Sequence, residues 1–539
     1  MIGQRDYQIV WLAGGLFLAL TTVFFAAVWR HGFRWLFSRR ALRFYAVVAV
    51  TLITFVVLFY VEESWRGKRA WVALQREASA RGESLEVRSL MTPAIPGDQD
   101  FAKAPGVAEL LGVTNEPNFG WPFNHGPEQT WPSASWLLEQ STDLAGWQKY
   151  FRAHAENSVA AKRGADTLTF PATLEPQTPA ADVLVALGKF ETNLATLRAA
   201  SQRPVMRLPL DYGKGFFAIE DMIRPLESLH SAAHLLCLRA SAELAQGQSE
   251  AALQDVLLAV RLAELVSEEP ADYAQRQCRG MAQFCLQPIW EGLAARGWNE
   301  EQLAVLQNKL AEVDLPAGCR QGLHGDTLGM MSLFDEGLAF VEGRPSEIAQ
   351  HLQPEDRFGG WVARTFYPVG WFYLDKAWIY RLYQRHSDPF QAAALRNESF
   401  NAEAWTITDP IMVIGVLPKL REIFIESSEG SLMIQTFVQQ AATACALERF
   451  RLAQGQYPDA LEALAPKYLQ QVPADILAAR AATLKYVRAA DGGFKLYSVG
   501  FSGVDDGGKP NPSIDPHRDI LWQLSQGKSD LVWIQPGQH

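Results

Sequence analysis

Two uncharged runs near the start constrain this chain more than anything else in it. Residues 8–29, QIVWLAGGLFLALTTVFFAAVW, carry no charge over 22 positions, and residues 44–61, FYAVVAVTLITFVVLFYV, none over 18. A segment in hydrocarbon must satisfy its own backbone, so each run can only be a helix there. At the helical rise they span about 33 Å and about 27 Å, enough to cross a bilayer core. Trp11, Trp29, Phe44, Tyr45 and Tyr60 lie near their ends, where amphipathic rings favour the interface. The first run is too long for the apolar part of a signal peptide and is not followed by a clear small-residue cleavage site. The expectation is a transmembrane hairpin over residues 1–63, with the lipid bilayer as its partner.

Charge orients it. The connection from Arg30 to Arg43 holds five Arg in 14 residues, which places it on the cytoplasmic side. The segment after the second run is basic too (Arg66, Lys68, Arg69, Arg76, Arg81), but Glu62, Glu63 and Glu77 dilute it. Both termini and the large body are then expected on the far side. Residues 1–69 carry nine Arg and Lys against three acids, so the total of −10 leaves −16 for the rest. So acidic a body excludes sequence-independent nucleic-acid binding, which needs a positive surface. The five cysteines include no CxxC pair. They suit neither a disulfide framework nor a zinc ribbon and are expected to be buried small apolar residues.

Beyond the membrane, residues 64–82 continue as a polar helix with Gly82 as its C-cap, and the Pro-rich stretch 92–105 reads as a linker. From about Ala180 to residue 313 the apolar period is helical. Segments 225–247, 249–269, 271–296 and 299–313 are separated at Gly247, Pro270 and Gly297. The pair around Gly247 resembles a tetratricopeptide-type hairpin, with Ala242, Ala245 and Ala252 where the helices would close, and no second copy recurs at a fixed period.

Three spots in this α-helical domain, 106–427, are candidates for chemistry. Glu227, His230 and His234 share one helix face and could offer two imidazoles and a carboxylate to a metal, as in a metal-dependent hydrolase. The bland alternative is a face with two packed histidines. His324 and Asp326 read as a turn. GGWVARTFYPVGWFYLDKAWIYRLY, 359–383, holds nine aromatics in 25 residues. It would be core, or else a lipid or small-ligand cleft or a membrane-surface segment. No G-x-S-x-G, P-loop, HExxH or dinucleotide fingerprint occurs, so no catalytic set is assembled.

After about residue 428 the pattern changes. An Ala-rich helix, 431–458, closes at Gly455 and breaks at Pro458. Residues 482–489 and 493–500 flank ADGG, a hairpin signal, and 519–524 and 529–535 could add strands. The exit Gly455-Gln456-Tyr457-Pro458, followed by Ser498-Val499-Gly500 and Asp505-Asp506-Gly507-Gly508, resembles the C-terminal domain of the major pseudopilin of type II secretion. The likeness covers about a fifth of the chain. The resemblance implies a helix packed on a small sheet and a late Asp/Gly loop that binds calcium. Asp505, Asp506 and Asp519, with Asp515 in reserve, would supply the carboxylates to a structural ion. Without a metal, the same residues make an ordinary turn, because Gly allows positive φ and Asp bonds its own backbone. The helix at 431 follows the polar stretch IESSEG and has no membrane half, and no pseudopilin leader precedes it, so pilin-like polymerisation is not expected. The whole pattern also resembles a group of large membrane-anchored bacterial proteins.

The sequence thus predicts a mainly α, membrane-anchored protein of the bacterial inner membrane. Its parts are a hairpin (1–63), a juxtamembrane helix and linker (64–105), a helical domain (106–427) and a pilin-like α+β domain (428–539), with the body in the periplasm. The expected role is a non-catalytic scaffold that binds other envelope proteins, with secretion-type machinery among the candidate partners.

Overall fold

The second apolar run lies inside one helix, α1 (Arg39–Ala80), which continues without a break into the polar segment after it. The computed structural model describes residues 15–16, 18–26, 39–90, 95–112, 135–155, 169–211, 214, 218–346, 367–388, 411–478, 482–509 and 530–536. Along the apolar window of α1 nothing is buried against the rest of the chain. Thr51 and Thr54 turn their hydroxyls back onto the carbonyls of Val47 (2.8 Å) and Val50 (2.7 Å), so neither hydroxyl needs water. Of the first run, residues 15–16 and 18–26 are described, and they are helical and largely exposed.

The body is mainly helical. After α2 (Leu144–Ala153) come α3 (Pro179–Leu187), α4 (Glu191–Ala200), α5 (Ala218–Ala245), α6 (Ser249–Ser267), α7 (Asp272–Ala294), α8 (Glu300–Ala311) and α9 (Leu315–Val341). Local signals set many of the starts. Asp143, Thr178 and Asp314 each accept a backbone N–H three residues on, and Asn299 and Gln302 form a capping box. Gly247, at φ +73°, turns α5 back onto α6. Ala242 and Ala252 are fully buried at that closure, whereas Ala245 is exposed. The sequence starts α5 at Pro225, but the helix begins at Ala218 and carries Pro225 inside it. His324 and Asp326, read as a turn, lie within α9; Gly322 and Gly325 there permit close contact with the Pro270–Ala271 backbone rather than a chain reversal.

Two long elements close the architecture. Helix α10 (Val369–His386) holds most of the aromatic stretch and packs along α1 and α9. Helix α11 (Ile411–Gln454) has 44 residues, about 66 Å, and touches α7, α8, α9 and α10 before reaching the sheet. IESSEG is therefore interior to a helix rather than in front of it. Ser428 is tolerated there because its hydroxyl bonds the carbonyl of Phe424, as Ser431 just beyond the stretch bonds that of Ser427. The sheet is antiparallel in the order β1 (Lys485–Arg488), β2 (Phe494–Ser498), β3 (Leu531–Gln535), with Leu496 opposite both Tyr486 and Trp533. Residues 519–524 lie outside the described residues. One apolar core runs from Phe101 through α5–α8 and α11 to Trp533 on β3. All five cysteines are buried in the interior.

Candidate functional site

The Asp/Gly loop follows β2 and is tied at both ends by carboxylates. Asp475, buried, accepts from Ser498 Oγ (2.7 Å), Val499 N (3.0 Å) and Leu477 N (3.1 Å). At the other end Asp530, just before β3 and also buried, accepts from Gly508 N (2.8 Å) and Asp506 N (3.2 Å). Burial pushes the Asp530 carboxyl above its ordinary range, against the pull of those two amides. Asp505 accepts from Tyr497 Oη (3.1 Å) and Gly507 N (2.9 Å). Gly508, at φ +65°, has no room for a side chain, since a Cβ would meet the Tyr497 ring at 2.8 Å. The loop is thus shaped by amides pointing at acids. Asp505 and Asp506 are exposed; Asp515 and Asp519 lie outside the described residues. Calcium takes six to eight oxygens, and the described part of the loop alone does not complete such a shell. Among the described residues, no three His, Cys, Asp or Glu side chains converge where they could hold a metal ion.

Helix α5 places Glu227, His230 and His234 on one face, as their spacing requires. Both imidazoles then meet one ring. Phe284 of α7 lies 4.9 Å from the His230 ring and 4.5 Å from that of His234, the latter stacked. Trp147 closes the far side of His234 at 6.5 Å. Burial lowers the pKa of His230 to about 4 and that of His234 to about 3, so both are neutral at pH 7. Glu227 points elsewhere, accepting from Tyr273 Oη at the surface (3.3 Å). The structure brings the histidines together on an aromatic face and leaves the carboxylate outside it.

A constellation of buried charge and aromatic contact at the end of the apolar run joins α1 to α10. Gly67 and Gly370 meet where the helices cross. A Cβ on Gly67 would lie 2.0 Å from the Gly370 carbonyl, and one on Gly370 would lie 2.0 Å from that of Glu63. The Glu63 carboxylate, 3% exposed, accepts from Trp371 Nε1 and pairs with Arg66, each at 2.8 Å. Trp371 also sets its ring edge-on to Phe59, inside the apolar run. A turn further out, Lys376 is buried over Trp71 (4.0 Å) and bonded to Asp335 of α9 (2.6 Å). Tyr380 reaches Glu83 beyond the end of α1. Asp375, fully buried, accepts from Tyr367 Oη (2.7 Å), and burial raises its pKa to about 7. The described part of the aromatic stretch, 367–383, therefore serves as a clasp on the polar half of α1. Residues 359–366 lie outside the described residues.

Neither Gly67 nor Gly370 carries a motif, and nothing marks Asp475 or Asp530 before the sheet brings them to the loop. No protein-family model matches the chain, and neither a curated protein nor a solved structure is significantly similar to it.

Proposed function

We propose that this chain is a non-catalytic scaffold of the bacterial envelope. A hairpin of the runs 8–29 and 44–61 holds it in the inner membrane, and the body stands in the periplasm to bind other envelope proteins. One observation carries the reading: α1 leaves its apolar window bare while its polar half is locked into the body by α10. Bare apolar surface of this length is stable in lipid and costly in water. The Gly455–Pro458 exit of α11 onto a three-stranded antiparallel sheet supports the pilin-like part of the proposal and, with it, partners of the secretion type.

Alkaline carbonate should leave the protein in the membrane pellet and detergent should release it; release by carbonate would sink the anchor. For orientation, Ser38→Cys and Ser79→Cys are probed with an impermeant thiol reagent after the outer membrane is opened, the native cysteines being buried. Labelling at 79 with protection at 38 supports a periplasmic body, and the reverse pattern moves it to the cytoplasm. Calcium belongs to the proposal as a structural ion held by Asp505, Asp506 and Asp519. It predicts a melting midpoint of the full chain that rises with calcium over chelator and no longer does so in Asp506→Asn. Identical curves leave the loop to Asp475 and Asp530 alone.

A further inference from the structure

We propose that the face of α1 just beyond its apolar segment, opposite the clasp, binds the anionic headgroups of membrane lipids. The inference rests on the anchor reading above and adds the chemistry of the lipid.

The buried side of this part of α1 is Glu63, Gly67, Leu74 and Ala78. At 100° per residue, Trp65, Lys68, Arg69, Val72 and Arg76 fall within an arc of about 100° on the other side, and all five are exposed. Arg66 is committed to Glu63. Lys68, Arg69 and Arg76, by contrast, form no ion pair among the described residues. Arg69 instead lies 5.1 Å from the centre of the Trp65 ring. Glu62 is the one exposed acid at the edge of this arc.

Depth selects which of these groups meet lipid. Measured along the helix from Val61, Trp65 stands about 6 Å out, Lys68 about 10 Å and Arg69 about 12 Å. The headgroup layer is about 5–8 Å thick on each side. Long basic side chains reach back several ångströms along a helix to place their charge there, and Trp favours the same level. Arg76, about 22 Å out, lies too far to take part. On the clasp side the body comes down to the same depth, because Trp371 touches Phe59. One side of the helix is thus closed by protein and the other offered to lipid. Charge complementarity fixes the kind of lipid: exposed cations with no ion-pair partner among the described residues suit phosphate diesters with net negative charge. They also supply local attraction where the rest of the chain, at −16, would be repelled by an anionic surface.

The test uses the full chain in nanodiscs of phosphatidylcholine, with and without phosphatidylglycerol, and counts the lipids retained on the released protein by native mass spectrometry. Each cation near the surface favours anionic lipid by roughly fivefold. The wild type should therefore prefer phosphatidylglycerol by roughly 25-fold, and Lys68→Gln/Arg69→Gln should lose most of that preference. Both side chains are exposed, so the variant's melting midpoint should match the wild type's. Retention of both lipids alike by the wild type, or an undiminished preference in the variant, overturns the inference. Failure to enter phosphatidylcholine nanodiscs at all overturns the anchor itself, which keeps the two failures apart.

Discussion

Asp530 shows how much one side chain can decide. Its carboxylate takes two backbone amides of the loop, and removing it leaves both without an acceptor in a largely buried place. With calcium chelated, Asp530→Ala should lower stability by about 2 kcal/mol, read as a drop in melting midpoint, while Asp506→Ala, an exposed change, should move it little. The buried histidines give a pH signature. His234 is held neutral in the fold by a pKa near 3, whereas in the unfolded chain it titrates near 6.5. Below pH 6.5 the unfolded state gains a proton that the fold refuses, so stability falls as pH drops from about 6.5 towards 3. His234→Leu should flatten that acid limb by about 1.4 kcal/mol per pH unit, checked by denaturant titrations from pH 7 to 4. Glu243 acts with the opposite sign. Burial and the nearby Asp255 carboxylate raise it to about 7, so its contribution is lost as pH rises from 4.5 through 7.

Among the elements, the crossing of α1 and α10 offers a change whose sign discriminates. In an isolated helix Gly67→Ala would be favourable by about 1 kcal/mol. At this crossing the new Cβ runs into backbone, and the substitution should instead destabilise by about 2 kcal/mol. Detergent-solubilised protein melted beside the wild type would show which effect wins; an unchanged or raised midpoint would mean that the helices do not meet as closely as described. What sequence could show of the elements follows from what each depends on. Helices α6, α7 and α8 were legible within a few residues because their apolar period and their breaks are local. The β1–β2 hairpin was legible from its ADGG turn. The true start of α11 was not, since IESSEG reads as surface until α7, α9 and α10 bury it. The candidate sites fared likewise. Spacing set the shared face of Glu227, His230 and His234, but not that Phe284, 50 residues beyond His234, would pack against both imidazoles. Asp530 and Gly370 gain their roles only through contacts distant in sequence, which no local pattern carries.

In the whole molecule, the continuity of the core outweighs the change of pattern near residue 428. Trp136 packs against both Trp533 of β3 and Phe437 of α11 at 4.9 Å each, and Trp290 of α7 donates to the carbonyl of Ile534 (2.7 Å). Sheet and helices should therefore unfold together. Trp533→Ala, a loss of about 3–5 kcal/mol, should speed amide exchange in α7 as well as in β2 and β3. Acceleration confined to residues 485–535 would reveal two independent units instead.

The length of α1 fixes a height. Its 19 residues past Val61 rise about 28 Å, and the grip of α10 prevents that segment from bending away from the body. Helix α11 then carries the same frame through to the sheet. With α1 anchored in lipid as proposed, the β1 edge and the Asp/Gly loop would be presented at a set elevation above the bilayer, in one orientation, instead of sweeping a hemisphere on a slack tether. A partner embedded in the same membrane would find them by diffusing in two dimensions, with the vertical search already done.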